Sequence, residues 1–234
     1  MRNCLLLLSG LLVISSVFGQ KTEFGLSLNS GLFSFAGRSA TGTSAINSAE
    51  NLSNYTNDPY GSRVGWCDGL SVDLKRVTRS RLLLRIGLGY ETLRSQLSLT
   101  SVNVFDGVDA YSVAAHGHTD LISRFIDLFP SAGCRFTPGR LNVDLTGGPD
   151  LGYCLSAEEN GKAYATNGKT YSSSRDRKTI STDIRPRLQL SAGFQKIAVY
   201  IGYSYGLSNY MTGYIGGPVG AYSRLLRFGL QYRL

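Results

Sequence analysis

The sequence predicts an all-β protein, an eight-stranded antiparallel up-and-down transmembrane β-barrel that follows an N-terminal signal peptide. Three observations predict this fold class. Eight segments alternate apolar residues with small, polar or charged ones, so each strand would have one apolar and one polar face. The connections between the segments alternate between long and short. Behind the leader, no apolar run is long enough to predict a transmembrane helix.

The start of the chain has the pattern of a secretory signal. Arg2 precedes an apolar run over residues 5–17, and small residues follow near Gly19. The run is shorter than the about 20 residues that a membrane-spanning helix needs, so we predict cleavage after Gly19 rather than a membrane anchor. The predicted organisation is a signal peptide at residues 1–19 and one outer-membrane barrel domain at residues 20–234.

The segment LNVDLTGGPDLGYCL, residues 141–155, shows the alternation most clearly. Val143 and Leu145 stand on one face, and Asp144 and Thr146 stand on the other. About fifteen residues is long for a strand of a soluble protein, where five or six is usual. Segment 120–136 also fits a helical period, but the tight turn TPGR after it favours a strand. The predicted strands are segments 22–35, 63–75, 81–91, 120–136, 141–155, 183–195, 197–207 and 226–234.

The connection lengths predict how these strands are arranged. Alternating long and short connections place all long loops at one end of an up-and-down sheet. Such a sheet must close in a membrane, because an open edge would leave backbone groups unsatisfied in lipid. A soluble barrel would have the opposite pattern, with an apolar interior. The predicted long loops are 36–62, 92–119, 156–182 and 208–223, and the short turns are 76–80, 137–140 and 195–196.

The polar faces carry charges of both signs, which the predicted barrel turns inward. Because an eight-stranded barrel is just wide enough to be filled by side chains, we predict a structural network of ion pairs, with a conducting channel as the alternative. At least one inward arginine should pair with Asp144 or Asp150. The inward charges are Asp73, Lys75, Arg85, Glu91, Asp127, Arg135, Asp144, Asp150, Arg185, Arg187, Arg227 and Arg233.

Aromatic residues on the apolar faces predict two interfacial girdles. One girdle, near the short turns, contains Phe24, Phe136, Phe194 and Tyr232. The other, near the long loops, contains Trp66, Tyr90, Tyr153 and Tyr205. Asp68 and Arg124 would also point outward, so a β-bulge or a rim position is expected at each.

The stretch AHGHTD, residues 115–120, is the one candidate for chemistry. His116 and His118 share a face of a strand, with Asp120 nearby, which admits a rim metal site or a hydrolase centre. Catalysis would also need a placed nucleophile, and nothing in the sequence singles one out. We therefore predict a solvated junction, and no catalytic, metal or cofactor-binding site.

The cysteines and the charge restrict the function further. In this register Cys134 faces lipid and Cys154 faces the lumen, so a disulfide between them is not expected, and Cys67 is the remaining cysteine of the barrel domain. The net charge is +8, but the basic residues are scattered and form no nucleic-acid-binding motif. Outer-membrane lipid is the expected partner, and nucleic acid is not.

Four motifs of the chain carry a resemblance to a known family: FIDLFPSAGCRF, LNVDLTGGPDLGY, RLQLSAGFQ and YSYGLSNY. They resemble the outer-membrane β-barrel domain proteins of Bacteroidota that are called PorT-like, and the resemblance covers essentially the whole mature chain. Two features depart from the family pattern: Leu128 stands where an acidic residue is usual, and the chain closes on Leu234 rather than on an aromatic residue.

The resemblance implies a barrel fold and a location but no reaction, since the family has no shared catalytic residues. The expected protein is exported to the bacterial outer membrane, inserted by the barrel-assembly machinery, and non-enzymatic. Its long loops would give it a structural or partner-binding role, with an extracellular or periplasmic protein as the unidentified partner. A small channel and a rim hydrolase that uses His116 and His118 are the alternatives.

Overall fold

A computed structural model describes residues 21–50, 52–213 and 219–234. The predicted signal peptide, residues 1–19, lies outside the described residues. Within the described part of the chain, no helix has the length and hydrophobicity to cross a membrane.

The described residues form eleven strands. Eight of them, β1, β4, β5, β6, β7, β9, β10 and β11, match the eight segments that the alternation predicts. The strands are β1 (Lys21–Ala36), β2 (Thr43–Ala49), β3 (Tyr55–Thr56), β4 (Arg63–Val77), β5 (Leu82–Phe105), β6 (Ala110–Phe136), β7 (Leu141–Ala165), β8 (Thr170–Asp176), β9 (Thr182–Phe194), β10 (Ile197–Tyr205) and β11 (Tyr222–Arg233).

The eight long strands close into a ring of antiparallel pairs. Around the ring the order is β1, β4, β5, β6, β7, β9, β10 and β11, and β11 pairs with β1 to close it. Each strand lies beside its neighbour in the sequence of ring strands, which is the up-and-down arrangement. The predicted fold class, an eight-stranded antiparallel transmembrane barrel, is confirmed.

The ring has an apolar exterior and a polar interior. On β1, for example, Leu26 and Leu28 are 48% and 67% exposed, whereas the alternate residue Ser27 is fully buried. Leucine, isoleucine and valine side chains cover the exterior of every ring strand in the same way. A continuous apolar exterior of this kind is typical of a surface that meets lipid rather than water.

The predicted boundaries of the long loops are wrong. Strands β5, β6 and β7 are 24, 27 and 25 residues long, so most of segments 92–119 and 156–182 is strand rather than loop. Segment 36–62 contains β2 and β3. The short turns lie where the sequence predicts them, between β4 and β5, β6 and β7, and β9 and β10. The loop at 208–223 contains no strand before β11 in its described residues.

The upper parts of β5, β6 and β7 leave the ring and form a second structure, which we call the extension. It consists of residues 43–56, 92–124 and 156–176. Strand β2 pairs in parallel with β5 and antiparallel with β3, and β8 pairs with β7, so the sheet order is β3, β2, β5, β6, β7, β8. Its two edges meet through side chains, where the hydroxyl groups of Thr56 and Ser173 are 3.3 Å apart.

The extension has an apolar core of its own. Buried Ile46, Leu97, Leu99, Val102 and Ala163 pack together between its strands. The outward residues beside this core on β5, such as Arg94, Gln96 and Ser98, are polar or charged. The extension is therefore built like a soluble β-structure, with its apolar residues inside.

Register shifts mark the transition from the ring to the extension. The pairing of β4 with β5 shifts between Val64 and Asp68, and the pairing of β6 with β7 shifts between Arg124 and Phe125. A β-bulge adds an unpaired residue and changes which side chains face outward. The expectation of a bulge near Asp68 and Arg124 is thus confirmed. Arg124 points outward and donates a hydrogen bond from Nη1 to Glu158 Oε1 at 2.9 Å.

Candidate functional site

The interior of the ring is the candidate functional site, because it gathers the charged side chains. The structure places all twelve predicted inward charges inside the ring, each no more than 9% exposed. Together with Glu23 and Asp183 they make seven acidic and seven basic side chains, so the formal charges of the lumen cancel. The predicted twelve are Asp73, Lys75, Arg85, Glu91, Asp127, Arg135, Asp144, Asp150, Arg185, Arg187, Arg227 and Arg233.

A first group of ion pairs lies near the short turns, and Arg135 is at its centre. Its guanidinium donates to Glu23 Oε1 at 2.7 Å and to Asp144 Oδ1 at 2.6 Å. Arg135 therefore ties β6 to β1 across the lumen and to β7 beside it. Lys75 Nζ lies 3.7 Å from Asp144 Oδ2 and donates to Gln231 Oε1 at 2.6 Å.

A second group lies halfway up the ring, around Asp150. Arg227 donates to Asp150 Oδ2 at 2.8 Å and to Glu91 Oε1 at 2.6 Å. The Arg185 Nε lies 3.2 Å from Asp150 Oδ2, and Arg185 also pairs with Asp127. Asp150 is fully buried between two guanidinium groups. The prediction that an inward arginine pairs with Asp144 or Asp150 is confirmed at both aspartates.

Small inward residues make room for these long side chains. At Gly152 on β7, a Cβ atom would lie 2.9 Å from both Arg185 Nη2 and Asp127 Oδ1, which is closer than real Cβ atoms come. The glycines that alternate with leucine in the predicted strands therefore leave the volume that the arginines fill. They are part of the interior packing and not signs of a phosphate-binding loop.

Between the two groups the lumen narrows to a small cavity. Its volume is about 20 Å³, and Arg85, Asp127, Phe129 and Arg187 are among the residues that line it. A cavity needs about 10–15 Å³ to hold one water molecule. Arg187 packs its guanidinium 4.4 Å from the Phe129 ring centroid and donates to Gln189 Oε1 at 2.5 Å. The described residues thus leave water-sized space here rather than a pore.

An aromatic cluster closes the ring above the ion pairs, and we call it the aromatic cap. Phe35 lies 5.1 Å from Tyr60 and 4.8 Å from Tyr210 between ring centroids, and Phe33 lies 5.0 Å from Phe35. These three contacts, and a fourth between the Tyr60 and Tyr210 rings at 6.0 Å, are edge-on, an arrangement that aromatic pairs favour. Tyr60 and Tyr210 come from loops, so the loops fold into the upper mouth of the ring and seal it.

The aromatic cap is joined to the ion pairs by hydrogen bonds. The Tyr210 hydroxyl donates to Asp183 Oδ2 at 2.8 Å, and Ser223 Oγ donates to the same atom at 2.6 Å. Burial, together with the Asp183 carboxylate, raises the pKa of Tyr210 well above its usual value. The tyrosine therefore stays protonated and remains a donor at every physiological pH.

The residues of the two predicted girdles all lie on the exterior. They are Phe24, Trp66, Tyr90, Phe136, Tyr153, Phe194, Tyr205 and Tyr232, each between 38% and 58% exposed. Cations lie over some of these rings, with Lys196 Nζ 5.7 Å from Tyr232 and Arg224 Cζ 5.5 Å from Tyr205. This combination of rings and long basic side chains suits a boundary between lipid and water.

The two histidines lie on the outer surface of the extension. His116 and His118 are exposed on β6, and the His116 ring stacks on Tyr164 at 5.6 Å. Ser123, the nearby serine, is buried on the opposite face of the same strand. Among the described residues there is no group of three or more metal-ligating side chains that could hold an ion.

The three cysteines of the ring are free thiols. Cys67 and Cys154 are buried at the level of the aromatic cap, and Cys134 is half-buried. Cys67 and Cys154 pack within the buried cluster that contains the aromatic cap.

A groove lies at the far end of the extension. Its volume is about 480 Å³, and Asn47, Leu52, Tyr55, Asn103 and Phe105 are among its lining residues. No charged side chain lines the groove in the described part of the chain. The groove is a concave surface of the extension that a partner could contact.

Sequence reasoning missed several residues that complete the lumen. Glu23 and Asp183 lie at the ends of the predicted segments 22–35 and 183–195 and continue their inward alternation by one step, so applying the alternation to the whole of each segment would have found them. Tyr60 and Tyr210 gave no such signal, because they lie in loops whose folding into the ring is set by distant contacts.

The fold and its interior define an eight-stranded transmembrane barrel with a charge-neutral, filled lumen and a folded extension. No family model matches the chain, and no curated protein matches it. Solved structures of outer-membrane barrels are similar to it. Neisserial surface protein A matches at 14% identity over 92% of this chain and 99% of its own, with a TM-score of 0.40.

Two further structures are similar at lower scores. Ail, the attachment invasion locus protein of Yersinia pestis in complex with sucrose octasulfate, matches at 10% identity over 93% of this chain and 100% of its own, with a TM-score of 0.34. The translocator domain of the autotransporter NalP from Neisseria meningitidis matches at 12% identity over 100% of this chain and 95% of its own, with a TM-score of 0.30. At TM-scores below 0.5, no residue role is carried over from these proteins.

Proposed function

We propose that this chain is a non-enzymatic outer-membrane barrel of the PorT-like kind from Bacteroidota. Its ring anchors the protein in lipid and holds the extension outside the cell for a structural or partner-binding role. The proposal includes export by a signal peptide that is cleaved after Gly19 and insertion by the barrel-assembly machinery. The observation that carries it is the apolar exterior of a closed ring whose interior is filled by paired charges.

The filled lumen supports an anchor over a channel. Two groups of ion pairs and the aromatic cap occupy the interior in succession, and the charges of the lumen cancel. Purified protein in planar bilayers should therefore give no steady single-channel current. Clear, reproducible currents from the wild-type protein would favour the channel instead.

The groove on the extension supports a partner-binding role over an enzymatic one. Its described lining residues are uncharged, whereas the buried Ser123 lies on the face of β6 opposite the exposed histidines. The unidentified partner would be an extracellular molecule that meets this end of the protein.

The orientation is tested by cysteine labelling on intact cells. In a background without the three native cysteines, Val108→Cys and Asn167→Cys place thiols at the tips of the extension. Ser80→Cys and Thr137→Cys place matched thiols in the short turns. A membrane-impermeant reagent should label the first pair on intact cells and the second pair only after lysis. Equal labelling of both pairs on intact cells, or the reverse order, would contradict the proposed placement.

A further inference from the structure

The end of the ring that carries the short turns is strongly and exclusively basic at its surface. We call this surface the basic rim. Lys21, Arg79, Arg81, Arg140 and Lys196 are exposed there, and Arg76 is half-buried beside them. The acidic side chains nearest this end in the described residues are Glu23, Asp73 and Asp144, and all three are buried inside the ring at 4% exposure or less. Glu23 is held by Arg135 and by Lys21 at 3.1 Å.

The charge of the whole chain is concentrated at this rim. The net charge is +8, while the seven acids and seven bases of the lumen cancel. The extension and the upper loops mix both signs, as the pair between Arg124 and Glu158 shows. The basic rim therefore supplies most of the excess, and it does so in a narrow band.

The rim residues are spread around the circumference. Arg79 and Arg81 lie in the turn between β4 and β5, and Lys21 begins β1. Arg140 lies in the turn between β6 and β7, and Lys196 lies in the turn between β9 and β10. These elements divide the ring into sectors. A single protein partner would meet one sector, whereas an annulus of lipid headgroups meets all of them.

The rim also lies at the right height for headgroups. The girdle of Phe24, Phe136, Phe194 and Tyr232 is exposed immediately above it, and Lys196 Nζ lies 5.7 Å from the Tyr232 ring. Long basic side chains beyond an aromatic girdle reach the headgroup layer. Basic residues near a surface of anionic lipid are attracted to it.

We infer that the basic rim binds anionic phospholipid headgroups in the leaflet that surrounds the short turns. The inference rests on the proposed function, since it requires the ring to span a membrane. The inference assigns a preference for anionic lipid to the end of the barrel that carries the short turns. That end would therefore favour a leaflet that contains anionic lipid.

A tryptophan near the rim can report the preference. The chain has one tryptophan, Trp66, at the upper girdle. The variant Trp66→Phe with Phe194→Trp moves the fluorophore to the lower girdle. It is reconstituted into vesicles of equal parts phosphatidylcholine and phosphatidylglycerol, in which one lipid or the other is brominated. Bromine quenches tryptophan on contact, so the ratio of the two quenching values reports which lipid is adjacent.

The expected result is several-fold stronger quenching by brominated phosphatidylglycerol at position 194, and a weaker preference at Trp66. Arg79→Gln, Arg140→Gln and Lys196→Gln together should abolish the preference at position 194. The matched control carries Arg38→Gln, Lys162→Gln and Lys169→Gln, which lose the same charge at the other end and should leave the preference unchanged. Raised salt should weaken the preference.

Two results would overturn the inference in distinguishable ways. Equal quenching by both brominated lipids at position 194, or a preference that persists in the rim variant, would remove the lipid preference while leaving the barrel in the membrane. Absence of quenching by either lipid, at position 194 and at Trp66, would contradict the proposed membrane location itself.

Discussion

The ring and the extension share three strands, β5, β6 and β7, but have opposite interiors. On β5, the outward residues Leu84, Ile86 and Leu88 of the ring are apolar and the inward Arg85 is charged. About 30 Å further along the strand from Leu88, Leu97 is buried in the apolar core of the extension, and its outward neighbours Gln96 and Ser98 are polar. The difference shows that the environment outside each region, lipid around the ring and water around the extension, determines which residues are buried in its interior.

The transition between the two regions is sharp, and a bulge helps to make it. On β7 the outward residues have odd numbers up to Leu155 and even numbers from Glu158 onward, because the register with β6 shifts there. The cost of the buried charges in the ring is offset by pairing. The extension is surrounded by water instead of lipid, so the burial of apolar side chains in its core stabilises it.

The largest change in stability is expected when a charge at the centre of the ring interior is removed. Asp150→Ala leaves Arg185 and Arg227 without their shared acceptor, and breaking a buried ion pair from one side costs about 3–5 kcal/mol. Unfolding of the barrel from lipid vesicles by denaturant measures the loss. Asp68→Ala, an acid on the exterior of the same ring, is the control and should change stability by no more than about 0.5 kcal/mol. Similar small losses for both variants would mean that the lumen is hydrated.

The next effect concerns the core of the extension. Leu97 is 1% exposed, and Leu97→Ala should destabilise the extension by about 2–5 kcal/mol. Because the ring has its own interior, proteolysis should cut the extension of this variant while the ring stays folded. Leu88→Ala, on the lipid face of the same strand, should leave the extension resistant. Simultaneous loss of ring and extension in Leu97→Ala would show that the two regions are one cooperative unit.

A smaller effect compares the two exteriors of β7. Leu145→Arg places a charge against lipid and should cost about 2–4 kcal/mol near the bilayer midplane. Asn160→Arg places the same charge on the exterior of the extension, where surface changes stay within about 0.5 kcal/mol. Vesicle-based denaturant titration measures both. Equal costs would mean that both positions meet the same solvent.

The sequence predicted the ring well because its signal is local and repeated. The alternation of Val143, Asp144, Leu145 and Thr146 depends only on a two-residue period, so the strands, their facing and the lumenal charges follow from it. The partners of those charges are harder to derive, since Arg135 meets Glu23 from a strand across the lumen. The alternation predicts which face of a strand each side chain occupies, but it does not predict which side chains contact each other across the lumen.

The extension escaped sequence reasoning for physical reasons. The inward residues of its strands are alanine, serine and glycine as well as leucine. Residues such as Ala163 and Gly161 differ little in hydrophobicity from their polar neighbours, so the alternation is weak there. Strand β2 pairs in parallel with β5, a contact across fifty residues that no turn signals. The bulge at Leu155 then reverses the numbering of the outward face, which hides the continuation of β7.

The most direct test of the inversion is a spin-label scan along β7. Single cysteines at each position from 143 to 164, in a background without native cysteines, would carry the label in vesicles. Collisions with lipid-soluble oxygen and with a water-soluble nickel chelate report the solvent at each site. We expect oxygen access at odd-numbered positions up to 153 and nickel access at positions 158, 160 and 162. Near position 155 the outward side chains should change from odd-numbered to even-numbered positions. One unbroken parity through 164, or oxygen access along the whole strand, would contradict it.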